Sequence, residues 1–133
     1  MTAARRTEAF LVLADRGLRS ARILLDNGQL EDTALFIQQV AERVARALLT
    51  AAAVPFGTSH NLGQMADALP ADHPFRDRVR AFDDLSTAVT AFRYSTTSGR
   101  LQSPPDRKAL GDKLAQVEQL LRERRAYIDP KKS

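Results

Sequence analysis

Apolar side chains in this chain recur at steps of three and four residues almost from end to end, and no segment alternates like a half-buried strand. A period near 3.6 places such residues on one side of a helix, so the spacing restricts the chain to helices packed on helices. Phe10, Ala14, Gly17, Ala21 and Leu24 keep this step, with Leu11, Leu18 and Leu25 beside them and Arg16, Arg19 and Arg22 on the opposite side. The pattern predicts a helix over roughly residues 5–27, stopped by Asn27-Gly28. A second helix is predicted from about Leu30 to Ala53, where Phe36, Ile37, Val40, Ala41, Val44, Ala47, Leu48 and Ala51 cover about half the circumference. So short a connection makes the two an antiparallel hairpin.

Val54-Pro55-Phe56-Gly57 ends the second helix. Ser59 is a candidate cap for a short third helix over about Asn61–Leu69, and Pro70 and Pro74 bracket the loop that follows. A fourth helix is predicted over about Phe75–Phe92, with Phe75, Val79, Phe82, Leu85 and Val89 on one stripe. Ser95 to Ser103 is small and polar and reads as a flexible loop. Ser103-Pro104-Pro105-Asp106 combines a hydroxyl cap, Pro in the first turn and an acid three positions on, the signs of a helix start. The fifth helix carries Leu110, Leu114, Val117, Leu121 and Ile128, with Leu120 and Tyr127 flanking. The expected fold is an all-α, up-and-down helical bundle of four long helices plus one short helix. It forms a single domain over residues 1–133, with a core over about 9–125. Residues 129–133 are expected to be a flexible tail.

Composition removes several functional classes. The chain has no cysteine, so a disulfide framework, a Cys-based zinc site and a thiol nucleophile are all excluded. No apolar run approaches the roughly 18–20 residues that cross a bilayer, and the N-terminal apolar patch is too short for a signal peptide. A cytoplasmic protein with no membrane association is therefore expected. The net charge is +4, and residues 107–132 hold eight basic and four acidic side chains, which accounts for the whole excess. Such a bias suits a nucleic-acid or nucleotide partner. A GC-rich coding sequence is the plainer explanation, since 16 of the 20 basic residues are Arg and Ala occurs 21 times.

Catalytic signatures are sparse. The six glycines are scattered and form no phosphate-binding loop. His60 and His73 are thirteen residues apart in or beside loops, and nothing calls for a metal or a cofactor. Three features stand out. On a helical wheel Gln38, Gln39, Glu42, Arg43, Arg46 and Thr50 share one arc of the second helix with Leu35 and Leu49. Two leucines on a polar arc serve either a partner surface or a neighbouring helix. Arg93 falls on the apolar stripe if the fourth helix continues through it, where a guanidinium must be paired or face a pocket. Otherwise it caps that helix. In Ser59-His60-Asn61-Leu62 the imidazole either holds the loop by bonding a carboxylate such as Glu42 or moves protons.

In this order the features resemble the HEPN domain, the helical family found with prokaryotic minimal nucleotidyltransferases. The resemblance spans about residues 9–125 and is best from Ala34 to Leu49, similar to the family's paired Gln, then Ala-Glu-Lys, then Leu-Lys-Ala-Leu. Arg43 and Arg46 stand where Lys is common. Ser59-His60-Asn61-Leu62 is similar to the family's Thr-His-Asp-Leu. Phe92-Arg93-Tyr94 resembles its Arg-Tyr pair, with Ser95 in place of the usual Pro.

The resemblance implies one of two activities. Some members are metal-independent RNases, often toxins, that carry Arg, four to six residues, then His. Others bind nucleotides, RNA or a nucleotidyltransferase partner. Here no Arg lies five to seven residues before either histidine, and no His follows Arg93. The expectation is a non-catalytic binding module in a toxin-antitoxin or defence context, whose ligand meets Gln38, Glu42, His60, Arg93 and Tyr94. The rivals are an atypical RNase using Arg93 and His60, and a structural dimerisation module without ligand. Members commonly dimerise, and Leu35 and Leu49 are the candidate interface of a homodimer.

Overall fold

The computed structural model describes residues 2–58, 61–85 and 106–128. Its helices are α1 (Ala3–Asp26), α2 (Leu30–Ala51), α3 (Leu62–Ala68), α4 (Arg76–Arg80) and α5 (Arg107–Ala126). A further helical stretch begins at 83–85, and no strand occurs among the described residues.

α1 starts at Thr2, whose hydroxyl accepts the Arg5 N–H at 3.1 Å. It ends as Asn27-Gly28 predicts. Gly28 takes a left-handed φ of 72°, its N–H reaches Leu25 O, and the Gln29 N–H reaches Leu24 O. This pair of bonds caps two carbonyls and reverses the chain within three residues. The same pair ends α2, from Ala53 N–H to Thr50 O and from Val54 N–H to Leu49 O. There the left-handed residue is Ala53, at φ 58°, so α2 stops at Ala51 and the turn carries strain that glycine would not. α2 has no side-chain cap, but Glu31 and Asp32 in its first turn meet the positive end of the helix dipole.

Hairpin packing is close. Gly17 lies in the middle of α1, and a Cβ there would stand 2.9 Å from Val40 Cγ2 on α2. The core is built from α2 outward: Ile37, Val40, Ala41, Val44, Leu48 and Leu49 are fully or almost fully buried. Leu11, Ala14 and Ala21 of α1, Leu62 and Met65 of α3, Val79, and Leu110, Val117 and Leu120 of α5 close around them.

Four boundaries differ from expectation. Asn61, not Ser59, caps α3 by accepting the Gln64 N–H at 2.9 Å. Asp106, not Ser103, caps α5 by accepting the Ala109 N–H at 3.0 Å. Both replacements are Asx residues one step from the first helical turn, the geometry that reaches an orphan N–H. The expected fourth long helix is interrupted at 81–82, where Phe82 N–H bonds Val79 O and Leu85 N–H bonds Phe82 O, three residues back rather than four. Phe75, Val79, Phe82 and Leu85 are nonetheless all buried. Finally, α5 stops at Ala126, and Ile128 is 77% exposed rather than core. Val89, residues 95–103 and the expected tail at 129–133 lie outside the described residues.

Candidate functional site on the second helix

The arc of α2 that the sequence marks as polar is an interior surface. Gln38, Glu42 and Thr50 are buried, and Gln39, Arg43 and Arg46 are half-buried. Leu49, expected at a dimer interface, is 0% exposed within the single chain and has no surface to offer a second copy. Leu35 is half-buried and packs against the same core. The reason is position: α2 contacts α1, α3 and α5, so its circumference is covered from three sides. Apolar spacing reports one buried face and is silent about polar groups buried on another.

Burial of polar groups requires partners. The Gln38 Nε2 donates to Glu42 Oε1 at 2.5 Å, one helical turn along α2. A carboxylate that accepts an amide N–H in a dry setting is fixed in orientation, and so is the amide. One residue further on, Arg43 is half-buried, and no acid among the described residues pairs with it. A half-buried guanidinium with no acid paired to it among the described residues can meet an anion such as a phosphate.

Arg46 has a different task. Its Nη1 donates to Gly57 O at 3.4 Å, and its guanidinium lies 5.3 Å from the centre of the Phe56 ring. Phe56 meets Phe10 edge-on at 6.2 Å. These contacts tie the segment after α2 back onto the hairpin. Arg46 is therefore a structural residue of the arc.

Of the five residues expected at a ligand, the structure brings Gln38 and Glu42 together. His60, Arg93 and Tyr94 lie outside the described residues, as does Ser59. The second half of the Ser59-His60-Asn61-Leu62 segment is structural: Asn61 caps α3, Leu62 is 0% exposed, and the Gly63 N–H bonds Asp83 Oδ1 at 3.1 Å. The other histidine, His73, accepts the Phe75 N–H on Nδ1 at 3.2 Å and packs against the Phe75 and Tyr127 rings. Arg124, buried on α5 with its guanidinium 5.7 Å from the Tyr127 ring centre, went unnoticed in the sequence because it sits in a run of charged residues.

Outside this region, Asp67 bonds Arg80 and lies 3.6 Å from Arg76. The hydrogen bond from Arg80 holds its carboxyl below the ordinary value against a desolvation effect that acts the other way, and the charges of Arg80 and Arg76 add to the lowering. Among the described residues no group of three or more His, Asp or Glu side chains is placed to hold a metal. No described helix is long and apolar enough to cross a membrane.

Comparison with known proteins agrees with this architecture. The crystal structure of ST0689, an archaeal HEPN homologue, superposes with a TM-score of 0.68 at 16% sequence identity, covering 90% of this chain and 95% of that one. At that identity the likeness establishes the fold. No protein of curated function matches the chain. The family model for the HEPN domain matches residues 7–126, and the chain therefore belongs to the HEPN domain family.

Proposed function

We propose that this chain is a non-catalytic HEPN-type binding module that docks the phosphate of a nucleotide or of RNA on the Gln38–Glu42–Arg43 arc of α2. The observation that carries this reading is the half-buried Arg43 guanidinium with no acid paired to it among the described residues, on the same helix as the hydrogen-bonded Gln38 and Glu42. Arg93 adds a second cation, and Tyr94 a ring on which a base stacks. Glu42 orients these groups rather than meeting the anion, since two negative charges repel. The Arg-to-His spacing of the family's RNases is missing, so RNA is bound and left intact. A second copy of the chain, and a nucleotidyltransferase partner in a toxin-antitoxin or defence setting, complete the proposal. Both are what the resemblance to the HEPN family implies.

The test is a titration with AMP and a single-stranded RNA at low salt, with melting recorded in parallel. Loss of a charge-assisted contact costs about 1.5–3 kcal/mol, so Arg43→Ala and Arg93→Ala should each weaken binding roughly ten- to a hundredfold. Unaltered binding by both variants, or no binding by the wild type, ends the proposal. Cleavage that copurifies with the protein and is lost in His60→Ala promotes the atypical RNase.

A further inference from the structure

Where α1 begins and α2 ends, the two arms of the hairpin flank a cavity of about 440 Å³. Sites for small organic molecules span about 300–1,000 Å³. Phe10, Ala53, Val54, Pro55 and Phe56 make its walls apolar. Phe10 meets Phe56 edge-on at 6.2 Å, and the Arg46 guanidinium, 5.3 Å from the Phe56 ring centre, steadies that ring. Among the described residues the polar side chains that line the cavity are Arg6 and Thr50.

Thr50 is 6% exposed, yet its hydroxyl makes no hydrogen bond among the described residues. The other two buried threonines bond in the usual helical way: Thr7 and Thr33 donate to the carbonyl four residues back, at 2.8 and 2.7 Å. Buried hydroxyls are as a rule bonded, so the one that lines a cavity is open to a ligand. Arg6 is exposed at the mouth of the cavity and pairs with no acid among the described residues. The helix ends add a direction. Arg6 stands in the first turn of α1, the positive end of that helix, and Thr50 in the last turn of α2, the negative end. An anion is therefore favoured on the Arg6 side and a hydrogen-bond donor on the Thr50 side.

These features choose between occupants. One cation and one hydroxyl among apolar walls match one anionic group and one further polar atom. A nucleobase carries several polar ring positions, which these walls would leave unpaired. A second copy offers no ring from the described surface, where the exposed large hydrophobics are Val12, Leu13, Ile23 and Ile128, all aliphatic. We propose that the cavity binds a small aromatic carboxylate whose ring also bears a hydrogen-bond donor. The carboxylate meets the forked guanidinium of Arg6, the ring packs against Phe10, Pro55 and Phe56, and the donor bonds Thr50 Oγ1. The site is separate from Gln38, Glu42 and Arg43 and does not depend on a nucleotide or RNA binding there.

The experiment titrates the full labelled chain with para-hydroxyphenylacetate and follows amide shifts. The wild type should bind with a Kd on the order of 1 mM, the range for so few atoms, and shift residues 6–10 and 50–56. Tyramine, with the same ring and hydroxyl but an ammonium in place of the carboxylate, should bind at least about tenfold more weakly, and Arg6→Gln should remove that preference. Phenylacetate, which lacks the hydroxyl, should bind several-fold more weakly to the wild type and equally well to Thr50→Val. The Thr50→Val variant should melt no lower than the wild type, since its hydroxyl has no bond to lose. No binding at ten times the expected Kd, equal affinity for tyramine, or cyclohexylacetate binding as tightly as phenylacetate overturns the proposal. So does a lower melting temperature in Thr50→Val, which would make the hydroxyl structural. Loss of binding in Arg43→Ala places the acid on the α2 arc instead, and a wild-type dimer that the acid dissociates gives the cavity to a second copy; either result overturns the proposal as well.

Discussion

α1 and α2 are two arms of one hairpin, of similar length, and they treat their polar residues in opposite ways. Of the 22 residues of α2, 13 are buried, including Gln38, Glu42 and Thr50. Of the 24 residues of α1, four are buried, and its arginines project outward. A polar group enclosed on three sides must be held by a neighbour, so the sequence of α2 is constrained at its polar positions as well as its apolar ones. α1 meets that demand only on the side that buries Thr7, Leu11, Ala14 and Ala21. The hairpin thus has one arm that sets the interior and one arm that leaves a face for the surroundings.

The largest test of this contrast is a pair of truncations. Ile37→Ala on α2 removes a fully buried side chain and should cost about 3 kcal/mol, whereas Val12→Ala on α1 should stay within about 0.5 kcal/mol. Denaturant midpoints measured side by side read the difference directly. Glu42→Ala comes next, at about 2 kcal/mol, because it removes a buried acceptor of the Gln38 amide. If the amide is the cause, adding Gln38→Leu to Glu42→Leu recovers part of that loss, and a double-mutant cycle measures the coupling. Gly17→Ala probes where the arms touch. Alanine favours helix by about 1 kcal/mol over glycine, but here its Cβ meets the rigid, buried Val40, and overpacking should leave a net loss of about 1 kcal/mol. Val40→Ala in that background should relieve the contact, which thermal melts of the two variants would show.

The smallest effect lies off the hairpin. The Asp67 carboxyl is held low by its hydrogen bond from Arg80 and by the charges of Arg80 and Arg76. A lowered folded-state value means that the stabilisation is complete above the ordinary carboxylate range and fades as pH falls through the folded value. Asp67→Asn should therefore lower the melting temperature slightly at neutral pH and converge with the wild type in acid. As the pair is exposed, the gap should be slight and should shrink with salt.

The hairpin, its Asn27-Gly28 reversal and the core faces of the long helices were legible in the sequence, because each rests on spacing or on local turn chemistry. The spacing also placed Gln38 and Glu42 one turn apart, which the structure shows as a hydrogen bond. What spacing could not reveal was that this polar arc is enclosed, since that depends on where α3 and α5 lie. For the same reason spacing leaves open whether Leu49 meets a partner or a neighbouring helix, and in the structure it is core. The break at 81–82 carries no Gly or Pro to announce it. It is a tightening of the turns, which a wheel drawn at 100° per residue smooths over. Ser59 and Ser103 have the chemistry of caps, but Asn61 and Asp106, equally good, stand next to the first turns and take the role.

The most direct test of the account is amide chemical-shift mapping of the labelled protein with a single-stranded RNA at low salt, with RNA integrity checked at the end. Intact RNA, shifts concentrated on residues 38–46 of α2 and on Arg93 and Tyr94, and unperturbed Arg5, Arg16 and Arg19 on the exposed side of α1 are the predicted result. Shifts confined to those exposed arginines of α1, or cleaved RNA, would contradict it.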